Sequence, residues 1–229
     1  MKFDIHIHSK YSFDSMSGIH RILRRAKRKK MDFIAITDHE TIRGGIEASK
    51  LNKNTNLEVI VGAEIKSDRG DIIGLFLTKE ITSRIWHEVI QEIKDQGGIV
   101  VLPHPYTGHK LCEELLSKVD VIEVFNARDS EENNAKALEL ARKHNKPVVA
   151  GSDAHFSWHV GLSATQGTGS NSREAILSHE KSMKTKKSAL YSYHLSQAIK
   201  HYRDRKWKKC FKELEYVMRN YIKTRVFRS

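Results

Sequence analysis

The sequence predicts an α/β fold built on a mostly parallel sheet. Short apolar, β-branched runs alternate with helical patterns through the first 180 residues. His, Asp and Glu recur at the ends of those runs, and beyond about residue 168 the alternation gives way to long helical stretches. A chain of 229 residues can bury one sizeable core, with or without a small appendage.

The strand-like runs are Phe3–His8, Phe33–Thr37, Val59–Ala63, Ile99–Leu102, Val121–Phe125 and Val148–Ala150, with a weaker seventh at Leu162–Gly167. Helical spacing is read over Ile19–Lys30, Ile42–Leu51, Ser83–Gln96, Leu111–Val119 and Glu131–His144. Asp71–Leu77 reads as an extra strand paired with the preceding one through the Asp68–Gly70 turn. The polar stretch Gly167–Arg173 reads as a loop, followed by a helix over Glu174–Met183. Two longer helices are expected over Leu190–Arg203 and Lys206–Arg225, with Tyr193, Leu195, Ile199, Trp207, Phe211, Leu214, Val217 and Tyr221 as apolar positions. The organisation expected is a barrel-type unit over 1–180 and a basic helical extension over 181–229.

Composition narrows the class. With 39% hydrophobic and 30% charged residues the chain is expected to be globular. No apolar run approaches the roughly 18–20 residues that span a bilayer, and Lys2 leads directly into a strand rather than a signal sequence. Cys112 and Cys210 do not make a disulfide framework, so a reduced, cytoplasmic protein with no membrane partner is expected. The net charge of +12 is confined to one end: residues 1–180 hold 25 Lys+Arg against 25 Asp+Glu, and residues 181–229 hold 15 against 3. A neutral body with a basic tail points to a polyanion partner.

The chemistry is placed by the strand ends. His6 and His8 close the first strand, Asp38 and His39 follow the second, and Glu64 follows the third. His104 follows Ile99–Leu102, Glu123 and Asn126 end the next strand, and Asp153 and His155 follow Val148–Ala150. In βα folds such ends share one rim. His6 and His8, spaced i, i+2, point to one face of a strand and can reach one ion, with Asp4 on that face either supporting a ligand or standing as an inward structural carboxylate. Asp14 is either a ligand or a helix cap; Asp38 either orients His39 or caps the next helix. Glu64, behind two small residues, has two oxygens with which to bridge cations. Pro103 and Pro105 fix the backbone around His104. Mixed imidazole and carboxylate donors suit Zn²⁺, Mn²⁺ or Fe²⁺ better than Ca²⁺.

In order and spacing, these residues resemble the PHP family, named for polymerase and histidinol phosphatase. The matching motifs are His6-x-His8, the Ser9–Ser15 loop, Thr37-Asp38-His39, Gly62-Ala63-Glu64, His104-Pro105 and Gly151-Ser152-Asp153-Ala154-His155. The resemblance implies a distorted seven-stranded β/α barrel holding two or three divalent ions. One ion would take His6, His8, Glu64 and Asp153. A second would share Glu64 and take His104, with Asn126 as the expected further ligand and Glu123 as the alternative to it. A third would take Asp14, His39 and His155. It further implies a metal-dependent phosphoesterase in which His6, His8, Glu64, His104, Asp153 and His155 carry catalysis and a metal-activated water attacks phosphorus in line.

Arg43 and Arg128 are either phosphate clamps or solvated arginines. The substrate expected is a phosphorylated small molecule or a nucleic-acid end. Nucleic acid is also expected as a partner of the basic C-terminal helices, whose aromatic residues either stack on bases or pack onto the barrel. The basic helix holding Arg21, Arg24, Arg25, Lys27, Arg28, Lys29 and Lys30 is a solvated face or a nucleic-acid track. The rival reading is a non-catalytic nucleic-acid-binding or scaffold protein with a relic metal site.

Overall fold

The structure, a computed structural model, describes residues 1–53 and 56–226, with side chains to residue 220. Among the described residues nine strands form one sheet: β1 (Lys2–Asp4), β2 (Phe33–His39), β3 (Glu58–Ser67), β4 (Gly70–Leu75), β5 (Ile99–Leu102), β6 (Val121–Asn126), β7 (Val148–Gly151), β8 (Ala164–Gly167) and β9 (Lys181–Lys184). Their order is β7-β6-β5-β4-β3-β2-β1-β8-β9. Parallel pairing joins β1 to β2, β2 to β3, β5 to β6 and β6 to β7, while β4 lies antiparallel to both β3 and β5. β7 then returns to β8, where the Thr165 hydroxyl accepts the Ala150 N–H at 2.8 Å, so the sheet is a nearly closed barrel. Nine strands stand where seven are expected. The β3–β4 hairpin and the β8–β9 hairpin both pair within the sheet.

Between strands lie α1 (Ile19–Arg28), α2 (Arg43–Leu51), α3 (Trp86–Asp95), α4 (Glu113–Lys118), α5 (Glu131–Lys143) and α6 (Ser172–Leu177). Alternate residues of each strand divide between two environments, as the pleat requires. Phe3, Phe33, Ala35, Ile73, Leu75, Val101, Val121 and Val149 fill the barrel interior. Ile34 and Ile36 face outward onto α1 and α2, and Ile72, Val100, Leu102 and Ile122 face outward onto α3, α4 and α5. Phe3 and Phe33 stack at 4.4 Å with both rings fully buried. Phe33→Ala is expected to cost about 3–5 kcal/mol of unfolding free energy, read from urea denaturation; a loss below about 1 kcal/mol would place that ring outside the load of the core.

Two expectations are corrected. The first strand does not run regularly from Phe3 to His8. Its pairing with β2 ends at Asp4, whose carboxylate accepts N–H groups from His6, Ser152 and Gly161. Beyond Ile5 the alternation breaks, because Ile7 joins the α1 side of the core and bridges to Ala154. The helix expected over Glu174–Met183 ends at Leu177, and Lys181–Lys184 pairs with β8 instead. An unpaired β8 edge would leave a row of backbone donors and acceptors open, and β9 satisfies them.

The two long helices form as read: α7 (Leu190–Arg203) and α8 (Trp207–Val226), packed on each other. Side chains fasten α7 to the barrel: Arg203 donates to the carbonyls of Ser12 and Ser15, and Ser196 accepts from Arg128. The aromatic residues do not pack onto the barrel as a group, since Tyr193, Tyr202, Trp207 and Tyr216 stay exposed. Tyr221 lies outside the described side chains. Cys112 and Cys210 are free thiols, and no described helix is long and apolar enough to cross a membrane.

Candidate metal centre

The chain after β1 carries His6 and His8, both fully buried. Their Nδ1 atoms are already engaged: His6 Nδ1 contacts Glu123 Oε1 at 3.0 Å, and His8 Nδ1 contacts Ser12 Oγ at 3.0 Å. Ser12 Oγ in turn donates to Asp38 Oδ1 at 2.7 Å. Glu123 and the Ser12–Asp38 pair thereby turn both Nε2 atoms toward one point, as partners of metal-bound imidazoles do. His6 Nε2 lies 3.5 Å from Glu64 Oε2 and 3.6 Å from Asp153 Oδ1, and His8 Nε2 lies 3.4 Å and 3.3 Å from the same atoms. Both Nε2 atoms and Asp153 Oδ1 are buried without a hydrogen-bond partner. Buried polar atoms left unpaired are costly, and a cation among these four groups would satisfy them all. The donors fit a divalent ion.

Glu64 reaches further. Its Oε1 stands 3.0 Å from His104 Nε2, and its Oε2 stands 3.1 Å from His39 Nδ1. His39 Nε2 lies 3.5 Å from Asp14 Oδ1, and Asp14 Oδ2 lies 2.9 Å from His155 Nε2. The structure thus brings His6, His8, Asp14, His39, Glu64, His104, Asp153 and His155 into one cluster. Glu64 lies within β3 rather than past its end, because the strand continues into the hairpin with β4. His104 and Asp153 have φ of 26° and 45°, left-handed backbone that non-glycine residues seldom adopt. Gly151 must stay small, since a Cβ there would lie 1.9 Å from Glu123 Oε1.

Three expectations fail on the geometry. Asn126 is occupied elsewhere: its amide donates to Glu123 at 2.9 Å and to Asp153 at 3.3 Å, and its oxygen accepts from the Arg128 N–H. The corner near Glu64 and His104 is taken instead by Asp71, at the start of β4. Asp38 neither orients the His39 ring nor caps α2; it gathers Ser9 and Ser12 and so holds the loop that supports His8. Arg43 lies over the Tyr11 ring at 4.7 Å, in a separate hollow with Ile46 and Glu47. Arg128, by contrast, lines the cavity of about 190 Å³ over this cluster, 3.7 Å from Asp153, with Tyr193 of α7 opposite.

The charges are set for cations. Burial alone would raise the Glu64 and Asp153 carboxyls, but neighbouring His6, with His39 at Glu64 and Arg128 at Asp153, holds both well below the usual range. His8 is pushed down to about 3 by burial and by His155 and His39, so it stays neutral with a free lone pair. His104, despite burial, is raised to about 9 by Glu64, so a cation there would displace a proton. Asp71 is raised by burial and by the charge of Glu64, a repulsion that a shared cation would relieve. Asp71→Asn is expected to lower the bound metal by about one equivalent, measured by elemental analysis after dialysis at limiting metal; an unchanged count would remove Asp71 from the ligand set.

The profile of the PHP domain family matches residues 4–221. The chain belongs to the PHP domain family. It is 43% identical over 152 residues to the uncharacterized protein MJ1587 of Methanocaldococcus jannaschii, covering 58% of this chain and 88% of that one. A second protein of that organism, the uncharacterized MJ0417, is 38% identical over 174 residues, 70% of this chain and 68% of its own length. Among solved structures, a two-domain protein from Bacteroides vulgatus containing a predicted PHP-like metal-dependent phosphoesterase superposes with a TM-score of 0.70 at 18% identity. That match covers 81% of this chain and 65% of the two-domain protein. PsfC from Pseudomonas syringae superposes at 0.63 with 19% identity, over 89% of this chain and 98% of PsfC. The likeness to both structures is one of fold.

Proposed function

We propose that this PHP protein hydrolyses phosphoester bonds in a metal-dependent reaction, acting on a small phosphate ester or on a nucleotide or oligonucleotide end. The observation that carries the reading is the set of buried, unpartnered atoms, His6 Nε2, His8 Nε2 and Asp153 Oδ1, aimed at one point beside Glu64. Zinc, manganese or iron ions, two or three in number, fit these donors; when bound they supply positive charge that acidifies water and neutralises phosphoryl oxygens.

The protein's own side chains do the rest. Glu123 and Ser12 fix the two imidazoles, so little reorganisation is needed at the moment of reaction. Arg128, between Asp153 and the Tyr193 ring, offers a guanidinium to the transferring phosphoryl group. Among the described residues the cavity lining holds no Cys or Ser, and its Thr107 hydroxyl donates to Asp129 at 2.8 Å, which supports water as the nucleophile. The relic-site reading is opposed by the number of donors kept in register. A panel of an aryl phosphate, mononucleotides, nucleoside bisphosphates and short 5′-phosphorylated RNA and DNA tests the proposal. Release of phosphate or nucleotide with manganese, lost on chelation, is expected; no release from any member with any of the three metals would overturn it.

A further inference from the structure

Helix α1 carries an arrangement that the metal cluster does not use. Residues 19–30 hold seven Lys and Arg and no Asp or Glu. Ile19, Ile22, Leu23 and Ala26 are buried, which fixes the helix on the barrel and commits its other side to charge. Arg21, Arg24, Arg25 and Arg28 follow i, i+3, i+4, i+7 spacing and share one face. With Ser157 and Trp158 they line a hollow of about 140 Å³. Trp158 is 51% exposed, and its ring is held flat against Phe156 at 4.7 Å. Arg25 Nη2 donates to the Trp158 carbonyl at 3.2 Å, while its Nε is buried without a partner.

The positive field continues past the hollow. Lys29 is held below its ordinary pKa by partial burial and then by Arg25, Lys184, Lys2 and Lys186. Among the described residues, the arginines paired with carboxylates are Arg84, Arg128 and Arg219, none of them on α1. Like charges gathered this closely repel one another, and an anionic ligand relieves the repulsion. The flat, half-exposed indole adds what a simple anion does not need. Guanidinium groups match phosphates, and an exposed aromatic plane matches an unstacked base.

We propose that this hollow binds single-stranded nucleic acid, with phosphates on Arg21, Arg24 and Arg28 and a base on Trp158. The site stands apart from hydrolysis, although its loop begins next to His155 and so lies near the metal cluster. Binding is measured on the full chain by fluorescence anisotropy, using a labelled single strand of about 12 nucleotides. Affinity is expected to fall steeply between about 50 and 200 mM salt. The double variant Arg24→Glu/Arg28→Glu is expected to bind at least about tenfold more weakly and with a shallower salt slope. Trp158→Ala is expected to weaken single-strand binding about fivefold or more and to leave duplex binding unchanged. Circular dichroism and melting temperature check that both variants are folded. His8→Ala is expected to bind as the parent does, so binding and hydrolysis succeed or fail separately. Binding within about twofold of the parent in both surface variants would overturn the proposal and, if Lys208→Glu/Lys209→Glu abolished it, move the site to α8. Binding to phosphatidylserine vesicles but not to the oligonucleotide would overturn it as well.

Discussion

Replacing His8 by Ala is expected to lower turnover at least about a thousandfold while the protein stays folded. His8 is neutral and buried, and its Nε2 lies within 3.4 Å of both carboxylates at the centre of the cluster. His6 Nε2 approaches the same two carboxylates at 3.5 and 3.6 Å, so removing His8 leaves one imidazole of that pair where an ion would need both. A graded companion is Glu123→Gln, which keeps shape but removes the charge that orients His6. Changes to such supporting partners cost about 10–100-fold, so the two variants separate direct ligation from orientation. Steady-state kinetics with saturating manganese measures both. Equal losses would mean that the cluster acts through packing alone.

The second large effect is on stability. Four carboxylates, Asp14, Glu64, Asp71 and Asp153, converge with five histidines on one cavity and its floor. An ion that binds the folded chain and not the unfolded one adds about 4 kcal/mol when present at a thousand times its dissociation constant. For a chain of this size each kcal/mol moves the melting temperature by about 2–4 °C. Metal-stripped protein is therefore expected to melt roughly 8–16 °C below the manganese- or zinc-loaded form. Glu64→Gln should lose most of that difference, since Glu64 touches His6, His8, His39 and His104. Scanning calorimetry makes the comparison. Superimposable melts of stripped and loaded protein would count against tight binding.

The rim of the barrel was legible because ligand types recur at strand ends, and strand ends follow from local hydrophobic runs. His6, His8, His39, His104, Asp153 and His155 are all of that kind. Asp71 was not legible, because its place depends on the register of a hairpin. Lys66 pairs with Asp71 and Glu64 with Ile73, and a one-residue slip would send that carboxylate to the other face. Asn126 reads as a ligand because sequence position fixes its neighbourhood but not its hydrogen bonds, which Glu123, Asp153 and Arg128 absorb. Arg43 shows the same limit: it starts a helix beside the site, yet its side chain turns to Tyr11. β9 escaped because Lys181–Lys184 lacks an apolar run and forms only by pairing with an edge already present.

Elemental analysis of the protein, purified without chelators and dialysed at neutral pH, bears most directly on the central claim. At least one, and up to three, equivalents of zinc, manganese or iron per chain are predicted, falling below half in His6→Ala/Asp153→Ala. Metal at background level in the parent protein, even after incubation with excess of each ion, would contradict it.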